Sequence, residues 1–168
     1  AMLASSDTQD QAKEKVSQEF IDVMRQQATD GEIELLENHS ATIPLGRSAG
    51  FVEGAEVWEE AQKLGVKASG PESLFVPEFE LDSENPLSET VFKAISNGKA
   101  TWQASIGGKA LAEKVFDPAT GSIVKLLKPG RLDHVALTRK GKACNPDTMM
   151  FGACMKSLSW AEVEEPEK

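Results

Sequence analysis

Apolar residues recur three and four apart over residues 17–30. Phe20, Ile21, Met24 and Ala28 share one helical face, with Ser17 at the expected N-cap and Gly31 as the stop. The same spacing predicts a second helix in "AEVWEEAQKLG", where Val57, Trp58, Ala61 and Leu64 form the stripe and Gly65 closes it. A third is expected in "NPLSETVFKAISNG", punctuated by Pro86 and by Asn97-Gly98. Elsewhere the period drops to two. "EIELLENHSATIPLGRSAGFV" reads as two short strands around a turn that holds His39, and "SLFVPEFELD" is extended, with Pro77 confining it to a sheet edge. "ATWQASIGG" is a strand with Trp102, Ala104 and Ile106 on one face and Thr101, Gln103 and Ser105 on the other. "LAEKVF", the turn "DPATG" and "SIVKLLK" predict a hairpin. Pro129-Gly130 then leads into the strand "RLDHVALTRK", whose simple alternation puts Leu132, His134 and Ala136 on one face.

At the start, residues 2–6 are short and apolar, and "SDTQDQAKEK" reads as a polar loop. Three side-chain oxygens cluster within 6–10, but the glycine and terminal glutamate of a calcium loop are missing. Beyond Pro146 the run "DTMMFGACMKSLSWAEV" is weakly helical and "EEPEK" is a charged tail. Strands joined by short turns through 101–140 fit poorly with a doubly wound sheet. They predict an α+β fold, mainly an antiparallel β-barrel or strongly curved sheet with surrounding helices. One domain is expected over 1–150, followed by a C-terminal helix and acidic tail over 151–168.

Composition narrows the partners. With 27 acidic against 18 basic residues the formal charge is −9, which argues against binding nucleic acid or an anionic membrane. No apolar run approaches the roughly 18 residues that cross a bilayer, and the opening "AMLASSDTQD" has no signal-peptide layout, so a soluble intracellular protein is expected. Cys144 and Cys154 read as free thiols, and neither zinc spacing nor a phosphate-loop or dinucleotide fingerprint occurs. No metal and no cofactor are expected.

Candidate chemistry rests on both histidines and one serine. His134 alone, on a strand, reads first as a core or rim histidine, and His39, between Asn38 and Ser40, as a loop histidine. Ser105 precedes Ile106 and Gly107-Gly108, glycines that allow close backbone approach and free N–H groups for an anion. Taken together they suggest more. A serine hydroxyl needs an imidazole to take its proton, and that imidazole needs a third group to hold its tautomer. A second imidazole can be that third group, with less electrostatic help than a carboxylate gives.

In order, "ENHSATIPLGRSAGFV", "WQASIGG" and "LDHVALTRKGKACNP" resemble the signature blocks of the viral capsid-maturation serine proteases, the prohead proteases of tailed phages and the related herpesvirus assemblins. Family members carry a base in an "NHD…G" block, here His39, and a nucleophile in an "SIG" strand, here Ser105. Their third block has the form "EVSLV…PANP" in phages or "HVSLC…GRR" in herpesviruses, here "HVALT…ACNP" with His134. The opening "LASSDTQDQAKEKVSQEFI" resembles the phage entry segment, so the likeness spans 2–147. Ser40 departs from the acidic residue that often follows the base. His134 is herpesvirus-like within phage-like surroundings, which leaves Asp133 as a rival for the third position. A tandem arginine pair is also missing, Arg139 being the nearest counterpart.

The resemblance implies a serine endopeptidase with a Ser-His-His triad that cleaves scaffold, major capsid protein and itself during phage head maturation. It places the protein in the host cytoplasm, inside the immature prohead, and implies a homodimer. Gly107, Gly108 and Arg139 are candidates for the oxyanion contact. Two other readings compete. One is a non-catalytic capsid-assembly or scaffold protein on the same fold, with its acidic surface binding basic segments. The other is a cysteine hydrolase using Cys144 with His134.

Overall fold

In the computed structural model, residues 2–8, 14–37, 44–96, 102–118, 120–139 and 149–150 are described. Three helices occur among them: α1 (Gln18–Thr29), α2 (Gly54–Lys63) and α3 (Pro86–Ser96). The strands are β1 (Met2–Leu3), β2 (Ser5–Ser6), β3 (Glu14–Val16), β4 (Glu34–Glu37), β5 (Gly46–Phe51) and β6 (Leu74–Phe75), then β7 (Pro77–Leu81), β8 (Trp102–Lys109), β9 (Ala112–Asp117), β10 (Ser122–Leu127), β11 (Arg131–Arg139) and β12 (Met149–Met150).

Helix α1 forms where its periodicity places it. Ser17 is extended (φ −71°, ψ 156°), and its Oγ accepts the Phe20 N–H at 3.2 Å. Gly31 follows the helix with φ +72°, a conformation open to glycine at little cost. The apolar stripe of Phe20, Ile21, Met24 and Ala28 is buried against Leu35, Ala104, Leu132, Val135 and Leu137 of the main sheet. A second cluster gathers Val57 and Ala61 of α2 with Leu3, Val52, Leu74 and Val76. Ser17→Ala removes a cap oxygen at a position only 5% exposed. The expected cost is about 1 kcal/mol, a fall of roughly 2–4 °C in melting temperature, read by calorimetry.

The main sheet runs β7-β5-β4-β11-β8, so β7, which begins at Pro77, lies at an edge as its proline requires. A smaller sheet runs β3-β10-β9, and β1-β12 and β2-β6 are two-stranded. Strands β9 and β10 form the hairpin expected from "DPATG", with Phe116 opposite Ile123 and Gly121 at φ +71°.

The chain is therefore α+β, but no sheet closes into a barrel among the described residues. The pairing is also less antiparallel than the sequence suggests, since β4 and β11 pair in parallel, as do β3 and β10. Two stretches read otherwise in the sequence are paired strands. Glu14–Val16, whose first two residues belong to the expected polar loop, joins β10, and Met149–Met150, within the expected helical run, joins β1. In both cases a tertiary partner overrides the local composition. The expected helix and tail over 151–168 lie outside the described residues. Among the described residues no helix is long and apolar enough to cross a membrane.

Candidate active site

Strand β8 carries Ser105 and is an end strand of the main sheet. Its alternation is as expected: Ala104 is buried in the main core and Ile106 packs against it, which turns Ser105 and Gly107 to the opposite face. On the neighbouring strand β11, Val135 pairs with Ile106 and Leu137 with Ala104, both core-facing. Ala136 therefore faces the same way as its partner Ser105, and His134 the same way as its partner Gly107.

The placement of His134 depends on a feature that alternation alone misses. Leu132 pairs with Gly108 and His134 with the adjacent Gly107, so Asp133 is an extra residue, a β-bulge. Leu132 is 1% exposed and belongs to the core with Val135 and Leu137. The expectation that Leu132, His134 and Ala136 share a face is thus corrected. The inserted residue reverses the phase, leaving Leu132 on the core side and His134 with Ser105 on the other.

Across the two strands Ser105 and His134 are diagonal neighbours, a relation that spaces Cα atoms by about 7–8 Å and lies within reach of a ring. The imidazole lies over Gly107. A Cβ built on that glycine would stand 2.3 Å from Cε1 and 2.4 Å from Nε2 of His134. At Gly108 a Cβ would stand 2.1 Å from the Arg131 carbonyl oxygen, on the β11 backbone beside the bulge. The glycine pair thus has a packing reason: one makes room for the imidazole, the other for the bulged strand.

Two carboxylates near His134 have cationic partners. Glu34, its register partner on β4, meets Arg47 at 3.4 Å, and Asp133 has its Oδ1 3.7 Å from the Arg131 Nε. Asp133, the rival for the third position, is the exposed bulge residue, whereas His134 faces the serine side. Arg131 also meets Glu32 at 3.0 Å, so these charges form a surface network at the bulged end of β11.

Beside β8 lies a cavity of about 420 Å³. Seven consecutive residues of this stretch, Ala104–Ala110, border it, together with Leu132 of β11. Val16, Phe20 and Leu127 supply apolar wall opposite, and Ser5, Thr8 and Glu14 supply polar atoms. Ser105 therefore borders the cavity on a strand whose neighbour is the imidazole-bearing β11.

Comparison with family models, with curated protein sequences and with solved structures gave no match.

Of the residues singled out in the sequence, Ser105, His134, Gly107 and Gly108 come together on β8 and β11. Arg139 pairs through its backbone with Trp102 at the far end of the same two strands. His39 and Cys144 lie outside the described residues. The last described residue before His39 is Glu37, which pairs with Leu137, itself opposite Ala104 next to Ser105. Asp7, in the stretch considered for metal chemistry, accepts hydrogen bonds from the backbone N–H of Ser69, at 3.0 Å, and from the Ser69 hydroxyl. It fastens the first strands to the loop after α2. Sequence reasoning missed the bulge at Asp133 and the buried Gln27, which bonds to the residue before it.

Proposed function

We propose that the protein is a serine endopeptidase of the capsid-maturation type, with Ser105 as nucleophile, His39 as general base and His134 as the residue that orients it. The observation that carries this reading is that Ser105 borders the 420 Å³ cavity and is a cross-strand neighbour of His134 on β11. A serine that borders a part-apolar cavity suits a peptide substrate, one side chain of which can enter the cavity while the scissile carbonyl lies at the hydroxyl. The chain leaves β4 at Glu37, two strand spacings or about 10 Å from β8, a gap that two further residues and an imidazole can cover.

In the proposed reaction the Ser105 oxygen attacks a peptide carbonyl carbon while His39 takes its proton. The proton then passes to the leaving amine, which departs to leave an acyl ester on Ser105. Water, deprotonated by the same imidazole, cleaves the ester and restores the serine. Backbone N–H groups near Gly107-Gly108, with Arg139 as a further candidate, would meet the oxyanion. By the resemblance, the substrates would be scaffold and major capsid protein and the chain itself, inside an immature prohead, with a homodimer as the active form and an assemblin-like completion of the described sheet.

A fluorophosphonate probe tests the chemistry without knowledge of the substrate sequence. The native chain is expected to add one phosphonyl group, mapped by mass spectrometry to Ser105, and to lose the reaction after denaturation. Absence of labelling under native conditions, in monomeric and concentrated samples alike, would reject the enzyme and leave the assembly-protein reading.

A further inference from the structure

Gln27 lies on the core side of α1 and is only 6% exposed. Its side-chain amide makes two hydrogen bonds to one backbone residue: Nε2 donates to the Leu132 carbonyl at 2.9 Å, and Oε1 accepts the Leu132 N–H at 3.0 Å. Donor and acceptor meet Leu132 as the backbone of an adjacent strand would. Strand β4 pairs with β11 only from His134 onward, where Glu34 is the partner. The glutamine amide thus extends the ladder by one residue, at the place where the bulge begins.

We propose that Gln27 is a positioning residue for His134. Leu132 opposite Gly108 and Val135 opposite Ile106 are both fixed in the core, which leaves two residues, Asp133 and His134, to share the one partner Gly107. Which of them faces Gly107 depends on how the peptide groups of Leu132 are turned, and Gln27 holds both of those groups. With the amide in place the imidazole takes the position and the carboxylate is left outside, against Arg131. Without it, the buried Leu132 N–H and carbonyl lose their partners, and the bulge can rearrange to regain them. A residue on a distant helix therefore selects an imidazole rather than a carboxylate beside Ser105. The consequence for catalysis rests on the endopeptidase reading, whereas the placement of the ring does not.

The chain has two histidines, so selective labelling gives a simple spectrum in the full-length protein. In the wild type a nuclear Overhauser contact is expected between the His134 Hε1 and the Gly107 Hα protons, and the Leu132 amide should exchange slowly. Gln27→Met and Gln27→Leu, both close in size but unable to make either bond, should both lose that contact. Both should also shift the His134 titration midpoint while keeping their circular dichroism. Fluorophosphonate labelling of Ser105 should slow at least tenfold in the folded variants. A contact and titration unchanged in either folded variant would overturn the proposal. So would fast exchange at Leu132 in the wild type, a measurement that needs no variant to fold. Loss of the ring contact in the variants, with no labelling even in the wild type, would uphold Gln27 and reject the endopeptidase.

Discussion

Ser105→Ala is expected to remove fluorophosphonate labelling and self-cleavage, with a loss of at least about 10³-fold in rate, while the melting temperature stays within a few degrees of the wild type. The size of the first effect follows from what a nucleophile does: without the hydroxyl there is no acyl ester, and only the background provided by substrate binding and oxyanion contacts remains. The small second effect follows from where the side chain sits. Ser105 is half-buried on the face away from the main core, and its strand neighbours Ala104 and Ile106 do the core packing. Loss of one hydroxyl hydrogen bond there costs about 1 kcal/mol. Thermal melts and labelling measured side by side on the two proteins check both halves. Labelling that survives in the alanine variant would place the reactive group elsewhere, and Cys144, mapped by the same mass spectrometry, is the first alternative to inspect. A collapse of the melting temperature would instead mean that the serine is a structural residue, and the inference from its position would fail.

Much of the local structure is legible because single residues carry its physical cause. Ser17 and Gly31 bracket α1, Pro77 places β7 at an edge, and "DPATG" closes the β9–β10 hairpin. Pairing is less legible. The parallel contacts of β4 with β11 and of β3 with β10 join segments about a hundred residues apart, and a two-residue period says which face is buried but not which strand lies alongside. Strands as short as Met2–Leu3 and Met149–Met150 have too few residues to show any period and exist through each other.

The site divides in the same way. Ser105 on its face was readable from alternation alone. The face of His134 relative to Leu132 does not follow from an unbroken period of two in "RLDHVALTR". The apolar residues Leu132, Val135 and Leu137 step by three and then by two, and the uneven step is the mark of the bulge. Gln27 left a mark as well, since it lies between Met24 and Ala28 on the buried stripe of α1, where a long polar side chain requires partners. What no pattern could supply was the identity of those partners, which lie on β11, far along the chain. The glycines after Ser105 read in the sequence as room for a ligand, whereas the contacts made in their absent side-chain space are those of His134 and the β11 backbone.

That last contact makes a prediction able to separate positioning from folding. In Gly107→Ala the new methyl would stand 2.3 Å from Cε1 and 2.4 Å from Nε2 of His134, against the roughly 3.5–4.0 Å that carbon contacts prefer. The obstruction is a side-chain ring on a half-buried face, so the ring can turn away by about 1 Å or more without moving the strands, at a cost of roughly 1–3 kcal/mol. A catalytic group displaced that far loses on the order of 10²-fold in rate, so labelling of Ser105 should fall by about that factor in a protein that still melts cooperatively. Gly108→Ala is the control. There the methyl would meet the Arg131 carbonyl oxygen at 2.1 Å and the Leu132 Cα at 2.9 Å, both backbone at the bulge, and no side-chain rotation relieves the clash. That variant should lose stability along with labelling, whereas Gly107→Ala should lose mainly labelling. If Gly107→Ala labels at the wild-type rate with its His134 resonances displaced, the ring is free to move without consequence and His134 has no part in activating Ser105. Such a result would remove the third member of the triad while leaving the nucleophile in place, because the position of Ser105 beside the cavity does not depend on the imidazole across from it.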